Sequence, residues 1–166
     1  MKSDMKLIIG ILVASIALIG GAVLVMGKGA STPKRENQGS ASMTIDKKIE
    51  DFGSMKSDEE KTATFTIANT SDSTLRLWNI STSCDCTFAT VTIGSQTTGE
   101  FNMPMHMKSD LKNWIGEVPA KQTAVLNVMY RPKVMPVVGA VTRQVTFSTN
   151  DPNNPQVEVS IAANVL

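Results

Sequence analysis

The sequence is poor in the residue types that most enzymes use for catalysis. It contains one histidine and two cysteines among 166 residues. A single histidine without a serine-containing elbow motif excludes the usual hydrolase triads, and no glycine-rich phosphate loop follows a predicted strand. Because catalysis needs a nucleophile, a base and an orienting group within reach of one another, we expect the protein not to be an enzyme.

The part of the chain that is expected to fold also lacks an excess of positive charge. Residues 43–166 contain eleven Lys and Arg against thirteen Asp and Glu. A protein that binds duplex nucleic acid needs a clustered basic surface, because neutralising phosphates supplies much of its affinity. Nucleic acid is therefore not expected as a partner.

Charge is absent altogether from one long apolar run, residues 7–26. Twenty helical residues span about 30 Å, the thickness of the hydrocarbon core of a membrane. A cleaved signal peptide is the alternative, but its apolar core is shorter, about 7 to 15 residues, and Lys28 interrupts the small residues after the run. We predict a cytoplasmic tail over residues 1–6 and a transmembrane signal anchor over residues 7–27.

The residues after the anchor predict a tether followed by one domain outside the cytoplasm. Residues 28–42 contain no large apolar side chain and are rich in small, polar and charged ones, which favours a flexible linker. The domain, residues 43–166, follows a short tail and an anchor, which is the layout of a protein whose C-terminal part is exported. The expected protein is a single-pass membrane protein with a periplasmic or cell-surface domain.

From residue 43 onward, hydrophobic side chains alternate with polar ones, which is typical of half-buried β-strands. Ala63, Phe65 and Ile67 share one face of a predicted strand, with threonines on the other face. Leu126 and Tyr130 lie on one face of a later predicted strand. Turn-forming residues bound such segments, for example residues 150–155 before the final strand. With no long amphipathic helix after the anchor, the pattern predicts an all-β fold, an antiparallel sandwich of about seven strands.

The two cysteines are separated by a single residue, Asp85. Residues i and i+2 of a strand point to the same side, so Cys84 and Cys86 would present two sulfurs on one face. Such a pair is able to bind a soft metal, to undergo redox chemistry or simply to pack. Export favours a disulfide, but Cα atoms about 6.6 Å apart in a strand are near the upper limit for one, so a bridge requires a local turn.

Four motifs together resemble, in order and spacing, the bacterial domain of unknown function family 1573. They are Asp51-Phe52-Gly53, the predicted strand at 62–69, Ser83-Cys84-Asp85-Cys86-Thr87 and Thr149-Asn150-Asp151-Pro152. The resemblance implies an immunoglobulin-like sandwich, related to Hydin-like and major-sperm-protein-like domains. It also implies an exported or lipid-anchored protein with no established enzymatic activity.

The sequence departs from the family pattern in two places. Asp85 stands where the family usually has glycine, which would allow a left-handed backbone between the cysteines at no steric cost. A tight turn is therefore expected to be less favoured here than in the family. In addition, residues 94–119 form a longer loop than expected after the cysteine motif, and long loops in compact domains tend to be functional or disordered.

The long loop contains Met103-Pro104-Met105-His106-Met107, with three thioethers and the only histidine. Thiolate, thioether and imidazole ligands suit Cu(I), whereas zinc does not usually take methionine. If the loop folds back over the sandwich, it completes a copper site whose candidate ligands are Cys84, Cys86, His106 and Met105, with Met103 or Met107 as substitutes. The alternative is structural: the methionines fill gaps in a hydrophobic patch, and the histidine is an ordinary surface or hydrogen-bonded residue.

Trp114, also in the long loop, is a candidate partner surface, because aromatic anchors dominate the energetics of interfaces. The alternative is that Trp114 pins the loop to the sandwich. Together these features predict a membrane-anchored, extracytoplasmic module with a binding or scaffolding role and a protein partner at the cell envelope. Copper binding or handling is the alternative function, and thiol redox chemistry is a third.

Overall fold

Ten β-strands, one short helix and one 3-10 turn make up residues 40–166, the part of the chain that the computed structural model describes. The strands are β1 (Met43–Ile45), β2 (Ile49–Met55), β3 (Lys61–Asn69), β4 (Leu75–Thr82), β5 (Thr87–Ile93), β6 (Gln96–Thr97), β7 (Ile115–Val118), β8 (Thr123–Tyr130), β9 (Gly139–Thr149) and β10 (Gln156–Val165). Helix α1 (Ser109–Lys112) precedes β7, and the 3-10 turn (Pro132–Val134) follows β8.

The strands form two five-stranded sheets that enclose one hydrophobic core. The first sheet has the order β1-β3-β8-β5-β6, and the second has the order β2-β10-β9-β4-β7. The predicted all-β sandwich is therefore confirmed. The expected number of about seven strands matches the longer ones, because seven strands have seven or more residues, whereas β1, β6 and β7 are too short to show an alternating pattern.

One strand pair departs from the predicted antiparallel arrangement. β2 runs parallel to β10, with Ile49 opposite Ser160 and Met55 opposite Val165. The other strand pairs of the described chain are antiparallel. Alternation along a strand predicts which side chains face the core, but it carries no information on the direction of a neighbouring strand. The prediction of a wholly antiparallel sandwich is therefore wrong at the β2 edge.

Inward-facing side chains of both sheets form the core. Ala63, Phe65 and Ile67 of β3 are buried, as their alternation predicts, and Leu126 of β8 lies opposite Phe65. The second sheet contributes residues such as Phe147 of β9, which is also buried. Each buried side chain of this size contributes about 1.5–3 kcal/mol through the hydrophobic effect, so this alternation is what holds the two sheets together.

The sandwich has two ends of different chemistry, and β4 runs from one to the other. Near its start, Arg76 N donates to Asn150 Oδ1 at 2.8 Å, and near its end, Thr82 Oγ1 donates to the Cys84 carbonyl at 3.0 Å. Eight extended residues span about 26 Å. The asparagine end consists of Asn69 and residues 149–154, and the cysteine end consists of residues 82–87 with Tyr130 and Arg143.

The predicted tail, the signal anchor at 7–27 and most of the linker at 28–42 lie outside the described residues. Among the residues that are described, no helix is both long enough and apolar enough to span a membrane. Ala41, near the end of the predicted linker, is buried, and Thr70 N donates to the Ser42 carbonyl at 2.9 Å. The packed structure therefore includes the last residues before β1.

Candidate functional site

The cysteine turn, residues 83–86, carries the chain from β4 in the second sheet to β5 in the first. A hydrogen bond from Thr87 N to the Cys84 carbonyl, at 3.1 Å, closes this turn. The turn brings the Cα atoms of Cys84 and Cys86 to 5.2 Å from each other, and the two sulfurs form a disulfide. The local turn that a bridge between these residues requires is therefore present.

Asp85 fits between the two cysteines without a left-handed backbone. The non-glycine residues with positive φ in the described chain are Asn79 and Lys121, and Asp85 is not among them. The disadvantage expected from the absence of glycine at this position therefore does not arise. The Asp85 side chain has a contact of its own, because its Oδ1 lies 2.5 Å from Nδ1 of His106.

The two sulfurs differ in their exposure and in their neighbours. Cys86 is fully buried, and its Sγ accepts a hydrogen bond from Arg143 Nε at 3.3 Å. Cys84 is 6% exposed, its Sγ accepts the backbone N–H of Cys86 at 3.1 Å, and it lies 3.8 Å from the sulfur of Met135. Met135 is 50% exposed. Cys84 is therefore the slightly more exposed of the two residues, and its sulfur lies next to that of the half-exposed Met135.

Arg131 contacts the cysteine turn through its backbone and the neighbouring Phe88 through its side chain. Its backbone N–H donates to the Cys86 carbonyl at 2.8 Å, and its guanidinium lies 4.4 Å from the centroid of the Phe88 ring. The guanidinium donates two hydrogen bonds to Glu100, at 3.0 and 2.7 Å, and one to Glu60 at 2.7 Å. The hydrogen bond from Arg131 lowers the pKa of Glu100, and the same bond raises the pKa of Arg131. This ion pair therefore stays charged around neutral pH.

The long loop folds back over the cysteine end, as the copper hypothesis requires. Asn102 Nδ2 donates to the Asp85 carbonyl at 3.2 Å, and the His106 ring contacts the Asp85 carboxylate. His106 N donates to the Met103 carbonyl at 3.0 Å, which closes a turn of the loop. The only histidine of the chain is therefore held beside the residue that separates the two cysteines.

The predicted copper ligands are brought together only in part. His106 lies beside the cysteine turn, but Met105 is 73% exposed and Met107 packs against the hydrophobic core. A disulfide offers no thiolate, so Cys84 and Cys86 must be reduced before they bind a metal. In the described part of the chain, no group of three or more His, Cys, Asp or Glu side chains is arranged to hold a metal ion. The copper site stays a prediction.

Trp114 is attached to the sandwich. Its ring packs edge-on against Phe101, with the ring centroids 5.4 Å apart and the planes at 65°. It also covers Gly116, where an added Cβ would meet Trp114 Cη2 at 2.2 Å. Any side chain larger than hydrogen at this position would displace the indole. These contacts are those expected of a residue that pins the loop to the sandwich.

A shallow cleft of about 390 Å³ opens beside Trp114, between the edges of the two sheets. It is bordered by β6 of the first sheet and by Ile115, Gly116 and Glu117 of β7 in the second sheet. Ile115 is 59% exposed, although it is a large hydrophobic residue. The exposed apolar side chain at this edge is therefore that of Ile115. It lies next to Trp114, the residue that was predicted as a partner surface.

Sequence reasoning missed Arg143 and Met135 and only partly anticipated Tyr130. Arg143 has the same parity along β9 as the buried Val145 and Phe147, and a charged residue at an inward-facing position is the signal that could have found it. Tyr130 is in the core as its alternation predicts, but its buried hydroxyl has no hydrogen-bond partner among residues 40–166. Met135 follows a 3-10 turn, where no periodic pattern exists to reveal it.

Comparison with known proteins supports the resemblance inferred from the motifs. Residues 43–116 match the model of a family described as "Protein of unknown function (DUF1573)". No curated protein matches the chain.

Three solved structures are similar in fold. A protein of unknown function from Porphyromonas gingivalis W83 has 17% identity and a TM-score of 0.56, over 81% of this chain and 51% of that one. The chain thus spans about half the length of that protein. The seventh ASH/PapD-like domain of human CEP192 has 10% identity and a TM-score of 0.49, over 83% of this chain and 95% of that one. The C. elegans MSP family member WR4 has 12% identity and a TM-score of 0.40, over 75% and 97%. At these identities the similarity concerns the fold alone.

Proposed function

We propose that this chain is a membrane-anchored, extracytoplasmic binding module that takes up an extended peptide segment of a protein partner along β7. The observation that carries the proposal is the outer edge of β7, which is the last strand of its sheet and borders the cleft beside Ile115. No catalytic activity is part of the proposal.

The edge of β7 differs from the opposite edge of the same sheet. At the opposite edge, Lys61 Nζ donates to the carbonyls of Phe52 and Ser54 at 2.9 and 3.2 Å. A lysine that occupies backbone acceptors, together with charged side chains on β2, is a common means of blocking unwanted strand pairing. Within residues 40–166 no lysine contacts a carbonyl of β7, and only the carbonyl of its last residue, Val118, accepts a side-chain donor, Asn69 Nδ2. The β7 edge therefore suits addition of a strand.

The cleft next to β7 suits one apolar side chain of such a strand. Ile93 and Trp114 contribute apolar surface, and Thr98 and Glu117 contribute polar groups at the border. In strand addition, backbone hydrogen bonds supply affinity and side-chain pockets supply specificity. The expected ligand is therefore an extended segment with a hydrophobic residue that enters the cleft and polar residues on either side.

The proposed location rests on two features. The uncharged run at 7–26 is long enough to anchor the protein, and residues 28–42 are long enough to hold the sandwich away from the bilayer. A disulfide between Cys84 and Cys86 is typical of oxidising compartments outside the cytoplasm. Both features support a domain at the cell envelope.

The test uses the full-length chain in non-ionic detergent micelles. Peptides selected from a random phage-displayed library would be measured against the wild type, Ile115→Asp and a matched control, Ile49→Asp. Ile49 is also the first residue of an edge strand in the second sheet and is 65% exposed. We expect Ile115→Asp to weaken binding about tenfold or more, and Ile49→Asp to leave it unchanged.

Backbone methylation of the selected peptides supplies the second arm. In a strand-addition complex, every second backbone N–H of the peptide donates to the edge strand. N-methylation of those amides should therefore abolish binding, and N-methylation of the amides between them should leave binding unchanged. Failure to select any peptide that competes at the β7 edge would overturn the proposal. Equal weakening by Ile115→Asp and Ile49→Asp would do the same.

Copper binding or handling is the second candidate function, because soft donors lie near the turn. The Met135 sulfur is 3.8 Å from Cys84 Sγ, and His106 contacts Asp85. After anaerobic reduction of the full-length chain, Cu(I) would be titrated against a chromophoric chelator. Stoichiometric binding that is lost in Cys84→Ser and His106→Ala supports the site, and binding that is unaffected by both changes rejects it.

A further inference from the structure

The Cys84–Cys86 disulfide contributes little as a structural cross-link. The stabilisation by a disulfide grows with the length of the loop that it closes, and here the sequence separation is two. A loop of three residues is among the shortest that a disulfide is able to close, so the chain-entropy relation gives this bridge much less stabilisation than a bridge across a long loop. The hydrogen bonds from Arg131 N and Thr87 N hold the same turn without the bridge.

The two sulfurs are unequal as targets for an incoming thiolate. Cys86 is fully buried, whereas Cys84 retains some exposure and is bordered by the half-exposed Met135. Thiol–disulfide exchange requires direct attack on one sulfur, and access decides which one. These exposures favour Cys84 Sγ as the sulfur that an external thiolate attacks, with Cys86 as the leaving group.

The leaving sulfur has a cation beside it. Arg143 Nε donates to Cys86 Sγ at 3.3 Å, and its guanidinium lies 5.9 Å from the centroid of the Tyr130 ring. Arg143 Nη1 also donates to the Thr142 carbonyl at 3.2 Å, which helps to fix the side chain. A buried thiolate without a partner would be strongly disfavoured, and a hydrogen-bonded guanidinium offsets that cost. Arg143 is therefore positioned to stabilise the Cys86 thiolate as it leaves.

We infer that the cysteine turn is a thiol–disulfide exchange site for a partner protein that carries two thiols. A partner thiolate attacks Cys84 Sγ, the bond between Cys84 and Cys86 breaks, and Cys86 leaves as a thiolate beside Arg143. The second partner thiolate then attacks the partner sulfur of the mixed disulfide and releases Cys84 as a thiolate, beside the backbone N–H of Cys86. The partner dithiol is oxidised to a disulfide, the bridge of this chain is reduced to two thiols, and protons are taken up from solvent.

The exchange is reversible, so a partner disulfide restores the bridge by the same steps in reverse. When the bridge is reduced, contacts that do not involve the sulfurs keep the turn in place, so the two cysteines stay close enough to form the bridge again. These contacts include the hydrogen bond from Arg131 N to the Cys86 carbonyl and the contact between Asp85 and His106. The site is also independent of the proposed peptide cleft, because β7 pairs with residues Leu75 to Trp78 of β4, away from the cysteine end. An experiment that rejects the peptide site at β7 therefore leaves the exchange site unaffected, and the reverse is also true.

The experiment measures reduction of the disulfide in the folded, full-length chain. Dithiothreitol is the probe dithiol, free thiols are counted by alkylation and mass spectrometry, and tryptophan fluorescence reports that the sandwich stays folded. We expect reduction without unfolding in the wild type. In Arg143→Met the rate should fall about tenfold, since a charge-assisted hydrogen bond to the leaving thiolate is lost, and Arg143→Lys should restore part of it.

Arg76→Met is the matched control, since Arg76 is paired with Glu117 near the asparagine end and far along β4 from the turn. It should leave the rate unchanged. In the single-cysteine variants, oxidised glutathione should modify Cys84 in Cys86→Ser readily, and Cys86 in Cys84→Ser much more slowly. Reduction that occurs only when the chain unfolds, equal modification of both cysteines, or an unchanged rate in Arg143→Met would overturn the inference.

Discussion

The two ends of the sandwich differ in how completely their buried polar side chains are hydrogen-bonded. At the asparagine end, the two N–H groups of Asn69 Nδ2 are shared among the carbonyls of Ser73, Val118 and Pro119, and Asn69 Oδ1 accepts from Ser71 N and Oγ. At the cysteine end, the buried hydroxyl of Tyr130 has no partner within the described residues. The cysteine end therefore contains the single buried side-chain nitrogen or oxygen without a hydrogen-bond partner among residues 40–166, whereas the Asn69 side chain is fully bonded.

This difference distinguishes motifs whose residues stabilise the fold from motifs whose residues are candidates for a chemical reaction. Asn69 lies in the part of the chain that matches the family model, and Asp151 lies in a motif that resembles the family. The contacts of each join distant parts of the chain: Asn69 reaches Val118, and Asp151 Oδ2 accepts from Met43 N at 2.9 Å. The Cys84–Cys86 bridge belongs to the same resemblance but joins residues two apart. We conclude that a shared motif need not be a functional site, and that the range of its contacts helps to tell the two roles apart.

Replacement of Asn69 by aspartate should produce the largest effect on stability. The change keeps the size of the side chain but removes the donors to Ser73, Val118 and Pro119 and brings a negative charge towards their carbonyl oxygens. We expect the free energy of unfolding to fall by about 3 kcal/mol or more at neutral pH. Urea unfolding of the full-length chain in non-ionic detergent, followed by tryptophan fluorescence, measures it.

Asn164→Asp is the matched control for this prediction, because Asn164 is an exposed residue of β10. Its effect should stay within about 0.5 kcal/mol. If both changes had the same small effect, the asparagine end would not be the structural end of the sandwich.

Asp151 should give this end a characteristic dependence on pH. Burial raises its pKa, but hydrogen bonds from the Asn154 side chain and from backbone N–H groups, including those of Met43 and Asn153, outweigh burial, and the pKa lies below its usual value. The folded pKa is therefore lower than the unfolded one. The stabilisation is complete above the unfolded value of about 4 and is lost as pH falls from there through the folded value.

The measurement compares wild type with Asp151→Asn across this pH range. Asp151→Asn should be less stable at neutral pH, and its deficit should shrink as the pH falls, because the wild-type carboxylate becomes protonated. Asp72→Asn is the control, since the Asp72 side chain is 93% exposed. A deficit that stays constant with pH would mean that the charge of Asp151 is not what stabilises this end.

The part of the fold that was predicted is the part set by local periodicity. Period-two alternation identified the inward faces of β3 and β8, including Phe65, Leu126 and Tyr130, because each side chain direction depends only on its own strand. The parallel β2–β10 pair was not predicted, because it joins segments more than a hundred residues apart. Pairing at such a distance depends on the path of the whole chain.

The candidate site, like the fold, was predicted only in part. The sequence identified the two cysteines and placed His106 in a loop able to fold over them, and that loop does reach Asp85. It did not identify Met135, because Met135 is distant in sequence and reaches Cys84 only through the fold. It also missed Arg143, whose position beside Cys86 depends on the register of β9 against its neighbours.

Removal of the Tyr130 hydroxyl should have the smallest effect and tests the cysteine end directly. Because the hydroxyl is buried without a partner in the described residues, Tyr130→Phe should leave the free energy of unfolding unchanged or raise it by up to about 1 kcal/mol. Phe65→Tyr is the reverse control: it adds a hydroxyl to a fully buried ring and should lower stability by about 1–3 kcal/mol. Both are measured by urea unfolding. If Tyr130→Phe instead lowered stability by more than about 1 kcal/mol, the hydroxyl would have a bonding partner, and the cysteine end would be as fully satisfied as the asparagine end.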